Sequence, residues 1–121
     1  MKIEDLKIIV TGAGRGMGAY FAKELAAAGA KVAAGDVDET GLAELPAGIA
    51  RRRLDVSNEA DCVRAMAEAR RAFGGVDVLI NNAGITHRSA FAATRPEVIR
   101  RVMAVNFFGA LHCTHAALAD L

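Results

Sequence analysis

Short β-branched runs alternate with longer amphipathic stretches along the whole chain, with no repeat, linker or low-complexity tract between them. Leu6–Val10 is the first predicted strand. Met17, Phe21, Leu25 and Ala28 then share one helical face, with Lys23 and Glu24 on the other, and Gly29 stops the helix. Lys31–Gly35 is a second buried strand, Asp38–Leu45 a helix cut short by Pro46, and Ile49–Leu54 a third strand. Arg51, Arg52 and Arg53 in that strand suit a sheet edge, where charge discourages pairing with other molecules, better than a binding patch.

Ser57 is placed to cap the next helix, with Glu59 and Asp61 in its first turn and Gly74-Gly75 at its end. Val76–Ile80 is the fourth strand, running into Asn81-Asn82-Ala83-Gly84 and a surface loop through His87 and Arg88. Thr94-Arg95-Pro96-Glu97 has the form of a capping box, from which one long helix is predicted to reach Leu121. Its inward stripe is Ile99, Val102, Asn106, Gly109 and Cys113. A buried Asn106 amide on that stripe must bond backbone or ordered water.

The most informative segment is Ile8–Gly18, IIVTGAGRGMG, a strand followed by a glycine-rich turn and a helix start. Glycines let bare backbone N–H groups approach a phosphate, and the helix adds its positive dipole end at the same spot. A dinucleotide pyrophosphate is the natural guest. Helical crossovers between successive strands make those strands parallel. With the phosphate loop at the switch point, the expected fold is α/β: a Rossmann-like doubly wound parallel sheet of order 3-2-1-4. It would end after the fourth strand and the following helix, with residues 1–121 as a single, incomplete nucleotide-binding domain.

Composition narrows the picture without changing it. The chain has 121 residues, 53% of them hydrophobic and only 5% aromatic, so small aliphatic side chains fill the core. A net charge of +1 argues for neither nucleic acid nor an anionic membrane as partner. No apolar run approaches membrane-spanning length, and the N-terminus is not a signal or transit sequence. Cys62 and Cys113 lack the spacing of a metal or redox motif, which suits a cytoplasmic location. His112 and His115 share a helical face, but spacing supplies no third metal ligand.

The spacing Thr11-Gly12-x-x-x-Gly16-x-Gly18, which also contains Gly14-x-Gly16-x-x-Ala19, together with Asn81-Asn82-Ala83-Gly84, resembles the short-chain dehydrogenase/reductase family in its classical subgroup. The resemblance covers Leu6 to Leu121 and extends to Asp55 and Asn106. It implies an oxidoreductase moving a hydride between nicotinamide and a carbonyl or secondary alcohol, with Thr11, Gly12, Gly14, Arg15, Gly16, Met17 and Gly18 at the cofactor phosphates. Asp36, 24 residues after Gly12, would meet the adenosine ribose and favour NAD; Arg15 leaves NADP open. Asp55 and Val56 would receive adenine, and Asn82, Ala83 and Gly84 the nicotinamide side.

Asn106 matches one member of the family's Asn-Ser-Tyr-Lys tetrad. The serine, tyrosine and lysine would lie beyond Leu121, because the only tyrosine, Tyr20, sits in the first helix without a lysine four residues on. The expectation is a cofactor-binding part, inactive alone and prone to self-association. Its rivals are a non-catalytic nucleotide-binding or interaction module, and a truncated chain without stable function.

Overall fold

A computed structural model describes residues 2–121. Alternation along β1 (Lys7–Thr11) turns Ile8 and Val10 to one sheet face and Ile9 to the other, and a separate core forms on each side. The first core packs α1 (Gly16–Ala27) and α2 (Glu39–Ala43) against β1 and β2 (Lys31–Asp36), joined by Ile49 just before β3 (Ala50–Arg53). The second packs α3 (Glu59–Phe73) and α5 (Phe108–Ala117) against the opposite face, with Val105 from α4 (Pro96–Asn106). With β4 (Val78–Ile80), the strands form one sheet, parallel as the crossovers require and in the order β3-β2-β1-β4 expected with the glycine turn at the switch point.

The arginines of β3 do local work at the sheet edge. Arg51 donates to the carbonyls of Leu42 at 2.8 Å and Pro46 at 2.7 Å, where α2 ends. Arg52 pairs with Asp61 at 2.9 Å and Glu68 at 2.7 Å, tying β3 to α3. At the far end of α3, Arg70 Nε reaches Asp120 at 2.9 Å and fastens the end of the chain.

Several local expectations are corrected. The face α1 buries is Gly18, Ala19 and Ala22, while Met17 is 68% exposed and Ala28 is exposed too. Phe21 and Leu25 of the expected face are partly buried and pack against the first core, while the fully buried positions carry small side chains that let α1 approach the sheet closely. Asn58, not Ser57, caps α3, accepting from Asp61 N at 3.0 Å; the Ser57 hydroxyl donates to Asp55 instead. Thr94 caps nothing: its hydroxyl donates to Ala90 O, and Arg95 opens α4 without a side-chain cap. Ladder pairing begins only at Val78, two residues later than expected.

The single long helix is two. Phe107, at φ −100° and ψ −61°, interrupts it between α4 and α5. Val105, Gly109, Cys113 and Ala117, spaced four residues apart across this break, are the buried positions, and Ile99 and Asn106 are exposed. Asn106 is therefore not the buried amide of an apolar stripe. It does find backbone partners: its Oδ1 accepts from Ile85 N and its Nδ2 donates to Ile85 O, both at 2.8 Å.

Candidate functional site

A cleft of about 210 Å³ opens at the C-terminal ends of β1, β2 and β4. In a doubly wound sheet this is the crevice where the strand order reverses. Of the expected site residues, Gly12, Arg15, Asp36, Asp55, Val56, Asn82, Ala83 and Gly84 line it together. Gly14 and Gly16 instead border an adjoining groove of about 240 Å³ with Tyr20 and Lys23. Met17 lines neither space and points to solvent.

The turn after β1 is shaped by close backbone approach. Gly12 has φ +65°, and a Cβ there would lie 2.7 Å from Ala83 Cα. A Cβ at Gly18 would come within 2.5 Å of Asn82 Nδ2 and closer still to the Gly12 carbonyl. The first-turn amides of α1 have no helical acceptor, and no acidic side chain occupies that turn. Bare N–H groups beside a helix N-terminus form an anion cradle.

Thr11 contributes from behind the cleft. It is buried, and its hydroxyl accepts from Asn82 N at 3.1 Å and Ala83 N at 3.0 Å, while Asn82 Nδ2 donates to Gly12 O at 3.1 Å. These bonds lock the segment after β4 to the glycine turn. Asn81 reaches the other way, donating to the Thr114 hydroxyl on α5 at 3.0 Å.

Two carboxylates define the polar wall. Asp36, at the end of β2, accepts from Gly14 N at 2.8 Å and Asp38 N at 2.9 Å. It thus ties the glycine turn to the start of α2, and each oxygen keeps a second acceptor site. Asp55 accepts from Ser57 N at 3.0 Å and Ser57 Oγ at 2.6 Å, both on Oδ1. Its backbone N–H donates to Asp61 at 2.9 Å.

Sequence reasoning missed Val37, Leu54, Ile85, Arg101 and Val105, which complete the lining. Arg101 and Val105 are one helical turn apart on α4, and only the docking of that helix shows that they reach the cleft. Cys62 and Cys113 were also unconnected in the sequence. They are fully buried, with sulfurs 3.6 Å apart between α3 and α5. The hydrogen bond to Cys62, with burial, pushes the Cys113 thiol well up and keeps it protonated. His112 does not pair with His115: its Nδ1 lies 2.9 Å from the Val56 carbonyl, and no metal-ligating cluster occurs among the described residues.

A parallel sheet with a glycine cradle and a strand-end carboxylate at its switch point is a Rossmann-type dinucleotide-binding unit. The family model for short chain dehydrogenase matches residues 6–121, and the chain belongs to that family. It is 39% identical over 110 residues to an acetoacetyl-CoA reductase of Rhizobium meliloti, covering 88% of this chain and 46% of that protein. A 3-ketoacyl-(acyl-carrier-protein) reductase from Brucella melitensis, solved with NADH, superposes with a TM-score of 0.92 at 35% identity, covering 98% of this chain and 51% of that one. A short chain dehydrogenase from Burkholderia cenocepacia, solved with NADP, gives 0.91 at 30% identity, covering 100% and 53%. The chain spans about half the length of these relatives.

Proposed function

We propose that this chain is the cofactor-binding part of an NAD-dependent oxidoreductase that moves a hydride between nicotinamide and a carbonyl or secondary alcohol. The observation that carries the reading is Asp36, set at the end of β2 opposite the bare glycine turn. A carboxylate there accepts from ribose hydroxyls and repels a 2′-phosphate, which favours NAD over NADP. Arg15 on the same wall is the reason to test the choice, as relatives solved with NADH and with NADP both superpose.

The residues present fit such a cofactor. Backbone amides around Gly12 and at the start of α1 would hold the pyrophosphate; glycine at 12 and 18 lets that turn close on Ala83 and Asn82, and Gly16, with nothing within 4 Å of a Cβ position, leaves its outer side open. Asp55 Oδ2, which makes no hydrogen bond within the described residues, suits an adenine amino group, with Val56 against the ring. Asn82, Ala83 and Gly84 would border the nicotinamide half. The bound cofactor would supply the hydride acceptor or donor; this chain's share is to bind and orient it.

Proton exchange with substrate is not within reach of these residues. Neither a tyrosine nor a lysine lines the cleft, and Tyr20 is exposed beside the other groove. Asn106 has both ends of its amide on Ile85. General acid–base help is commonly worth ~10²–10⁴-fold, so the isolated 121-residue chain should bind cofactor without turnover. That same observation favours, as a second reading, a nucleotide-binding module without catalysis. No helix among the described residues is long and apolar enough to cross a membrane, and two unbridged cysteines favour a reducing cytoplasm. Nicotinamide absorbance across a panel of alcohols and ketones tests the catalytic half of the reading. Sustained turnover by the purified chain would contradict it and require a base not identified in the cleft.

A further inference from the structure

We propose that His112 is a positioning residue for the adenosine side of the cleft, acting through the Val56 peptide; the inference rests on the cleft being a dinucleotide site. Val56 follows β3 in a turn, so no strand ladder takes up its carbonyl. Val56 borders the cleft, is 6% exposed, and turns both its side chain and its carbonyl toward the packed helices α3 and α5. There the His112 ring nitrogen Nδ1 meets that carbonyl at 2.9 Å, and the Cys62 thiol donates to it at 3.5 Å. Gly109, one turn earlier on α5, lies so close that a Cβ would come 2.5 Å from Val56 Cγ2.

The nitrogen–oxygen distance assigns the proton to Nδ1, since a carbonyl only accepts, and Nδ1–H persists whether or not Nε2 is protonated. The same turn is held on its other side by the Asp55 N–H to Asp61 bond of 2.9 Å and by Ser57 on Asp55 Oδ1. Helix α5 thus sets the tilt of the peptide that carries Val56, and with it the direction of the Asp55 carboxylate beside it. Without the His112 donor a largely buried carbonyl loses its best partner, and the peptide rotates toward solvent, which means toward the cleft.

The test is calorimetric titration of the 121-residue chain with AMP, ADP-ribose and nicotinamide mononucleotide. His112→Phe keeps a ring and removes the donor; His112→Asn places an amide nitrogen near Nδ1. His112→Gln, whose amide reaches only to the place of Nε2, replaces the Phe variant if that fails to fold. His112→Phe or Gln should weaken AMP and ADP-ribose about fivefold, the size of one net hydrogen bond, and leave nicotinamide mononucleotide unchanged. His112→Asn should restore most of the loss. Equal weakening of all three ligands, or unchanged AMP binding in the variants, would overturn the inference while leaving the dinucleotide reading intact. A wild-type chain that binds none of the three would end both.

Discussion

Strands β1 and β4 are built from the same kind of residue and end up in different surroundings. Ile8, Ile9 and Val10 are 1%, 4% and 0% exposed, whereas Val78, Leu79 and Ile80 are all only partly buried. The difference lies in their neighbours. β1 is flanked by β2 and β4, with a helical layer on each face; β4 pairs with β1 alone. The contrast extends outward. The cleft wall is knitted by Asp36 between the turns after β1 and β2 and by Thr11 and Asn82 between the turns after β1 and β4, while α4, α5 and the residues that follow expose Met103, Phe107, Phe108, Leu111 and Leu118, each by 46% or more. Apolar pattern marks what a segment could bury; the number of covered sides decides what it does bury.

The largest effect should come from breaking the tight side of this comparison. Gly18→Val forces a branched side chain into the Gly12 carbonyl and Asn82, and should cost on the order of 3 kcal/mol or more and abolish nucleotide binding. Chemical denaturation and cofactor titration measure both. A stable, binding-competent Gly18→Val chain would show that α1 can lift from the turn without loss.

Asp61 sharpens the same side. Burial pushes its carboxyl up, but the Asp55 N–H, the Arg52 guanidinium and Arg64 more than offset this and hold it below the usual range. Its folded pKa is therefore lower than its unfolded one of about 4. The stabilisation is complete above that value and is lost as pH falls through the folded pKa. Asp61→Asn should cost roughly 2 kcal/mol at neutral pH and flatten the acid limb of the stability profile. Equal acid sensitivity in both proteins would assign that limb to other carboxylates.

On the loose side the expected effect on stability is small. The chain should self-associate through β4 and the exposed faces of α4 and α5, so Phe107→Ser with Phe108→Ser should reduce concentration-dependent sedimentation. Its stability should stay within about 0.5 kcal/mol of wild type, as exposed positions do. A large fall in stability would show that these rings are covered by the chain's own fold.

Much of this was readable in advance, for reasons specific to each residue. The strand order and the glycine turn follow from chain connectivity and from the backbone freedom that only glycine has, and both are local properties of sequence. Asp36 was placed by its distance from Gly12, because one crossover helix has a nearly constant length. What resisted reading depends on contacts between distant segments. The break at Phe107 has no proline or glycine at its own position to signal it, and the exposure of Asn106 depends on which side of α4 the other segments cover. The small face of α1 was hidden because Met17, Phe21 and Leu25 dominate any count of hydrophobic periodicity. Arg101, Val105 and the Cys62–Cys113 contact appear only once α4 and α5 dock on the sheet.

In the proposed function the Asp36 wall and the glycine cradle together hold NAD, with its adenosine ribose at Asp36. Calorimetric titration of the chain with NAD and NADP, repeated on Asp36→Ala, tests it most directly. Wild type should bind NAD at least tenfold more tightly than NADP, and Asp36→Ala should erase the gap, a change of about 1.4 kcal/mol. Equal or tighter NADP binding by the wild-type chain, or a preference that survives Asp36→Ala, would contradict it and hand the ribose pocket to Arg15.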